Sequence, residues 1–396
     1  MSVELKKDCR YALLVPTSMG GRLTPDNGQP FHCSRRFTLQ ATSAETNVAS
    51  VSSSLGLPVK VLTTFVKGSP VARFIKDDLA SRHIDVEGPE LDQGGPWGYR
   101  HQLNLADCGT GSRGPRVSND RAGEVGRTLN VKDFDLERIF GTEGVQIVHL
   151  SGLIGALSPE TGTFCLEIAR AAKKHGTRIS FDLNYRASFW KGREKELREI
   201  FHEIAGVADI LVGNEEDFQL ALGIEGPEAG GEGLGDKIES FKGMIQRVAK
   251  AYPNAQVFAT TLREVVSANS HMWGGLLAEG GNWHVIEPRQ IGKVEIGGIV
   301  KRRGHPRSPG PLLGGPQMVE ISRDGRRAYI TNSLYSSVDD QLYPDKMTGW
   351  MVKVNVEPNG GIALDPDFFV DFGETRSHQI RLEGGDASTD SFCYSS

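Results

Sequence analysis

The sequence predicts an α/β protein built on a mainly parallel sheet, followed by a smaller all-β segment. Three observations carry that reading. From Tyr11 to about Glu287 short apolar runs alternate with longer stretches of helical period, the signature of βαβ units. At Lys301 to Pro316 the run KRRGHPRSPGPLLGGP places four Gly, four Pro and four Lys/Arg in sixteen residues, which reads as a linker or junction. Beyond it, β-type runs separated by turn residues continue without helical period.

The central strands are expected at YALLVP (11 to 16), VKVLTTF (59 to 65), VQIVHLSG (145 to 152), RISFDL (178 to 183), DILVG (209 to 213) and QVFATT (256 to 261). Between them Ser158 to His175 predicts a helix, with Phe164, Ile168 and Ala171 at three- to four-residue spacing and KKHG closing it with cations and a glycine. Glu194 to Ala205 and Lys237 to Tyr252 predict two more. Pro96 to Val117 breaks the alternation and reads as two strands joined by a glycine turn, a hairpin standing off the main sheet as a lid. In the tail, SRDGRRAYITN sets a DG turn before the strand Ala328 to Thr331, and WMVKVNV (350 to 356) and FFVDF (368 to 372) follow. That is about two blades' worth of propeller-type hairpins, too few to close a ring.

Composition narrows the function. A chain of 396 residues holds roughly two or three domains. No apolar run approaches the roughly 18 residues of a membrane helix, and the segment after Met1 has too short an apolar stretch for a secretory signal, so no membrane partner and a cytoplasmic location are expected. With 45 basic against 50 acidic residues and a net charge of -5 there is no broad positive field, and nucleic acid is not an expected partner. The five cysteines (Cys9, Cys33, Cys108, Cys165, Cys393) lie apart without a CxxC, which argues for reduced thiols rather than a disulfide framework or zinc knuckle.

Most generic motifs fail on context. Gly109, Gly111 and Gly114 satisfy GxGxxG but follow a polar loop and run into Pro115, so they read as the hairpin turn. There is no GxxxxGK[ST], and His202-Glu203 lacks the second histidine of HExxH. Lys301 to Arg303 reads as a solvated charge run or, less simply, as a localisation or phosphate-binding patch. Two clusters survive. DLNYR (182 to 186) and GNEED (213 to 217) both follow predicted strands, at the carboxyl edge where open α/β sheets bind ligands. Arginine beside asparagine there suits a substrate carboxylate, and the acidic cluster suits Mg²⁺. Equally, Asn214 suits an N-cap with acids in the first helical turn. The residues alone leave both readings open.

With AETNVASVSSSLG (44 to 56), GPWGYRHQ, NDRAGEVGRTL, SFDLNYRASFW, ILVGNEEDF and FATTLREV in this order, the chain from about Tyr11 to Val285 resembles the PfkB sugar kinases, and among them 2-keto-3-deoxygluconate kinases. The resemblance implies a ribokinase-like three-layer Rossmann-type domain with a small β lid, and MgATP-dependent phosphorylation of a sugar acid. Carried over residue by residue, it implies that Asn47, Tyr99, Arg121, Asn184 and Arg186 contact the substrate. Asn214 and Asp217 would organise Mg²⁺ and phosphate, and Thr260 and Arg263 would lie toward the nucleotide. Homo-oligomerisation through the lid is a further expectation.

The departures matter as much. Thr42 and Ser43 stand where the family usually has two glycines, and Asn119 where many relatives carry tyrosine. The family's GxGD segment, with its anion-binding amides and catalytic aspartate, is missing: the chain reaches Gly297-Gly298 and then diverges. No residue is therefore assigned as the catalytic base, and impaired phosphoryl transfer is expected. The alternative is a module that binds a sugar acid without phosphorylating it. The tail from about Gly314 resembles the carboxyl-terminal part of selenium-binding protein, the family of the methanethiol oxidases, and implies an incomplete β-propeller. His378 in SHQIRLEGGD matches a histidine of that family and is the one candidate metal ligand. Selenium or copper would be expected there only if other blades completed the site, which keeps an oxidase as the third reading. The expected domains are thus 1–298 kinase-like, 299–316 linker and 317–396 β fragment.

Overall fold

A computed structural model of the chain describes residues 3–26, 29–107, 115–227, 234–267, 270–286, 292–298, 302–322, 324–332, 341, 347–358, 360–375, 377 and 380. The glycines of the GxGxxG match, together with Cys393 and His378, lie outside them. The chain forms two compact units, Met1–Pro288 and Arg289–Ser396.

In the first unit the elements run β1 (Tyr11–Pro16), β2 (Gly20–Pro25), β3 (Phe37–Thr42), α1 (Ala44–Ser54), β4 (Val59–Leu62), β5 (Phe65–Val66), α2 (Pro70–Ser81), β6 (Ile84–Glu87), β7 (Glu90–Leu91), β8 (Gln102–Asp107) and β9 (Arg116–Asp120). They continue with β10 (Val145–Ser151), α3 (Gly152–Gly155), α4 (Pro159–Lys174), β11 (Arg178–Asp182), α5 (Ala187–Trp190), α6 (Glu194–Val207), β12 (Ile210–Val212), α7 (Glu215–Leu222), α8 (Leu234–Ala251), β13 (Val257–Ser267), β14 (Ser270–Glu279) and β15 (Asn282–Ile286). Nine strands make one sheet in the order β15-β14-β13-β12-β11-β10-β1-β4-β6. The seven from β13 to β6 pair in parallel, and β14 and β15 add an antiparallel edge.

Strand periodicity sorts the core. Leu14, Leu62, Val148 and Leu150 enter one buried cluster with Ile168 and Phe201, whereas Leu13, Val15, Val59 and Val61 enter another with Ile75 and Leu79. Alternate residues face opposite sides of the sheet, so a strand buried on both faces must be apolar throughout. The expected helices are present with boundaries within about three residues. α4 begins where Ser158 and Thr161 exchange side-chain and backbone bonds with Pro159 at the first position, and ends on Lys173 and Lys174, as capping and the helix dipole favour.

The lid is larger than the expected hairpin. β8 and β9 do pair antiparallel, but β2 and β3 join them in a four-stranded sheet ordered β3-β2-β8-β9. The parallel β2-β8 seam requires glycine at position 20, because a Cβ there would lie 2.2 Å from Cγ of Gln102.

In the second unit β16 (Pro316–Ile321), β17 (Arg327–Asn332), β18 (Gly349–Val356) and β19 (Ile362–Gly373) form one antiparallel meander. Ile296, Leu312, Trp350, Val352 and Val354 are its buried core. The segment expected to be a linker therefore contributes to this core. His305 is 5% exposed, its Nε2 lies 2.8 Å from the Asp365 carbonyl, and its ring stacks on Phe369. Gly297 and Gly298, expected to close the first domain, belong here as well: the Gly298 amide donates to the Gly314 carbonyl at 2.9 Å. Composition misleads because Gly and Pro mark tight folded turns as readily as solvated linkers.

Candidate functional site

Strands β1, β10, β11 and β12 are neighbours, so the loops that follow them meet at one edge of the sheet. A cavity of about 310 Å³ lies beside that edge under the lid. The lid supplies Thr42, Gln102, Asn104, Asn119 and Arg121, the start of α1 supplies Ser43 and Glu45, and the loop after β11 with α5 supplies Arg186, Ser188 and Phe189. The three positions that depart from the family pattern, Thr42, Ser43 and Asn119, all line it.

Arg121 is held from two sides. Its Nη1 pairs with Glu124 at 2.6 Å, and its guanidinium stands 5.4 Å from the Phe189 ring centroid. The same Glu124 carboxylate accepts from Ser18 Oγ, which ties the lid arginine to the loop after β1. Gly126 permits this contact, since a Cβ there would fall 1.9 Å from Ser18 Oγ. Arg186 also lines the cavity, with Nη1 donating to the Tyr185 carbonyl at 2.7 Å. Two guanidiniums on one small polar cavity suit a carboxylate ligand.

Asn184 braces rather than lines the cavity. It is buried at φ 37°, a conformation asparagine tolerates better than other non-glycine residues. Its amide donates to Asp182 Oδ1 at 3.2 Å and its Nδ2 to Ser151 Oγ at 3.1 Å. Those bonds lock the end of β11 to the end of β10 and so aim Arg186.

Asn214 and Asp217 form a capping box at the start of α7. Asn214 Oδ1 accepts from the Asp217 amide at 2.8 Å, and Asp217 Oδ2 from the Asn214 amide at 2.9 Å. Asp217 Oδ1 accepts from the Tyr185 amide at 2.8 Å. Each Asp217 oxygen is thus bonded to backbone, and among the described residues no three His, Cys, Asp or Glu side chains gather for a metal ion. Of the two readings of GNEED, the geometry supports the cap, with Asp217 as a clamp between two loops.

The remaining assignments scatter. Asn47 is exposed on α1 and does not line the cavity. Tyr99 lines a separate cavity of about 350 Å³ with Arg127, Ser158 and Glu160. Thr260 is buried on β13 with no partner for its hydroxyl among the described residues, while Arg263 lies over Trp273 at 5.3 Å. Reading the residues alone missed Glu45, Gln102 and Asn104. The last two were detectable, because QLNL (102 to 105) alternates polar and apolar side chains with a strand's period.

Burial pushes the Asp182 carboxyl from 3.8 up to about 7, and the nearby Asp217 carboxylate adds to the rise. Burial raises Asp217 too. For Asp182 the folded state holds its proton more tightly than the unfolded state, so its contribution to stability is full at low pH and is lost as pH rises toward 7. Asp182→Asn keeps the acceptor for the Asn184 amide and removes the charge. In urea unfolding the variant is expected to gain on the parent by on the order of 3 kcal/mol between pH 4 and pH 8. A constant difference across that range would contradict the assignment.

Comparison with known proteins gives two matches. The model of the pfkB family of carbohydrate kinases matches residues 34–261, and that of the 56kDa selenium binding protein (SBP56) matches 283–393. Among solved structures, the 2-dehydro-3-deoxygluconokinase of Thermotoga maritima is 26% identical with a TM-score of 0.62, covering 69% of this chain and 78% of that one. A PfkB carbohydrate kinase of Listeria grayi is 25% identical with a TM-score of 0.58, covering 70% and 81%. The methanethiol oxidase of Mus musculus is 38% identical over 128 residues, 26% of this chain and 27% of that protein. The chain therefore spans about a quarter of the length of that relative. Among the described residues no helix is long and apolar enough to cross a membrane.

Proposed function

The chain belongs to the pfkB family of carbohydrate kinases, and from that premise we propose that its first unit binds a sugar acid under the lid as a 2-keto-3-deoxygluconate kinase-like domain whose phosphoryl transfer is impaired. The fold of this unit is the ribokinase-like α/β fold of its structural neighbours. The observation that carries the proposal is the cavity itself, which is lined both by Arg121 and Arg186 and by buried acceptor oxygens of Glu45, Gln102 and Asn104. An anionic, hydroxyl-bearing ligand satisfies both sets. ATP would be the phosphoryl donor, with its Mg²⁺ carried by the nucleotide's own phosphates, as Mg²⁺ commonly is. Asn214 and Asp217 support the phosphate side by holding its loops in place.

Calorimetry with 2-keto-3-deoxygluconate tests the proposal. Saturable binding is expected, and Arg186→Ala is expected to weaken it by about 10-fold or more, the value of a charge-assisted hydrogen bond. No binding heat with the unsubstituted chain would overturn the reading.

A second reading concerns residues 283–393. The β16 to β19 meander has the four-stranded antiparallel form of a propeller blade, which favours a single selenium-binding-protein-like blade fused to the kinase domain. An oxidase activity for it would need the remaining blades and metal ligands beyond His378, since copper and zinc take about three or four.

A further inference from the structure

Glu45 occupies the first turn of α1, one residue beyond the position at which the sugar-site segment begins, and is 1% exposed. Its Oε2 accepts from the Thr17 hydroxyl at 2.7 Å. Thr17 is itself fully buried, so the carboxylate is fixed in one orientation. Its Oε1 is buried and has no hydrogen-bond partner among the described residues, and no ion pair to Glu45 occurs among them. A buried carboxylate oxygen left unpaired carries a large desolvation cost, so such a group calls for a partner, be it water, ion or ligand, to complete it. Glu45 lines the cavity under the lid, and Gln102 Oε1 and Asn104 Oδ1, also buried and unpartnered among the described residues, line it too. These three groups offer acceptors and ask for donors, whereas the cavity's donors are Arg186 and the Nε of Arg121, which is buried without a partner among the described residues while Nη1 pairs with Glu124.

We propose that Glu45 is a specificity-determining residue that accepts a hydrogen bond from a hydroxyl of the substrate, selecting polyhydroxy 2-keto acids over 2-keto acids without hydroxyls. The assignment rests on the sugar-acid reading given above. It also replaces Asn47 as the polar contact from α1: two residues farther along the helix the side chain has turned about 200°, and Asn47 is exposed. Carboxylate chemistry makes the selection sharp. Glu45 in its ionised form has no proton to donate, so it rewards only a donor, and a site built to bond a hydroxyl discriminates strongly against an analogue lacking it.

The test compares two ligands on the full chain by calorimetry or competition: 2-keto-3-deoxygluconate, and 2-ketohexanoate, which has the same carbon skeleton without the hydroxyls. Glu45→Gln is expected to weaken binding of the hydroxylated acid by about 10- to 100-fold, the range for a hydrogen bond to a charged group, while binding of 2-ketohexanoate stays within about twofold of the parent. Thr17→Val, which frees the carboxylate without removing it, is expected to give a smaller loss with the same ligand selectivity. Thermal melts of both variants separate misfolding from lost recognition. Equal weakening toward both ligands, or none, would overturn the role of Glu45 while leaving the sugar-acid reading intact. If the unsubstituted chain binds neither ligand, the sugar-acid reading fails and this assignment falls with it.

Discussion

Given MgATP and 2-keto-3-deoxygluconate, the purified chain is expected to release ADP at least about 10²- to 10⁴-fold more slowly than a variant in which everything from Arg289 onward is replaced by a family-type GGGD segment and its helices. That factor is the usual cost of losing a general base, and loss of the preorganised anion donors adds to it because phosphoryl transfer depends on positioning and electrostatics. The first unit ends at Pro288, and no aspartate occurs from Glu287 through Arg323. Gly297 and Gly298 do not rescue the motif. They sit in the second unit, where the Gly298 amide is already bonded to the Gly314 carbonyl. Turnover in the unmodified chain would mean that another group supplies the base and that the junction is not the defect. Activity only in the repaired chain would locate the defect there. Silence in both would place it within the sugar site or its nucleotide side.

How far the sequence discloses this molecule depends on how local each determinant is. YALLVP and SPETGTFCLEIARAAKK declare themselves because period, cap and terminator all lie within the element. β2 and β3 do not: GGRLTP carries two glycines and a proline, and FTLQAT is mostly exposed or half-buried. They become strands by pairing with each other and, for β2, with β8, some eighty residues away. The same contrast runs through the site. Arg186 is legible as a charge at a strand end, and Arg121 through the family resemblance. Glu45 is not, because its burial depends on Thr17 and on a lid assembled from distant strands. Asn47 shows the reverse error, in which a residue type matched to a motif is turned outward by helix phase. Asn214 and Asp217 were open between metal and cap, and only the Tyr185 amide on Asp217, a contact 32 residues apart in sequence, favours the clamp.

Trp350→Ala is expected to unfold the second unit while sparing the first. Trp350 is 1% exposed in a cluster of five buried apolar residues among the described residues, so its side chain is a large share of that packing. Removing a buried tryptophan costs about 3–5 kcal/mol. Here the Nε1 donor to the Leu313 carbonyl, at 2.7 Å, disappears as well, and that carbonyl keeps only the Asn332 Nδ2 at 3.2 Å. The chain around the ring is shaped to it. Gly297 has φ 57°, and a Cβ there would stand 3.0 Å from Trp350 Cζ2 and 2.6 Å from the Gly314 carbonyl oxygen. The diglycine that resembles the approach to a kinase phosphate loop is therefore explained by a tryptophan of the other unit. In the full chain, the variant should lose one thermal transition and keep 2-keto-3-deoxygluconate binding unchanged. Binding lost together with that transition would show that the boundary at Pro288 does not separate independent units, whereas a melt like the parent's would remove Trp350 as the centre of the second core.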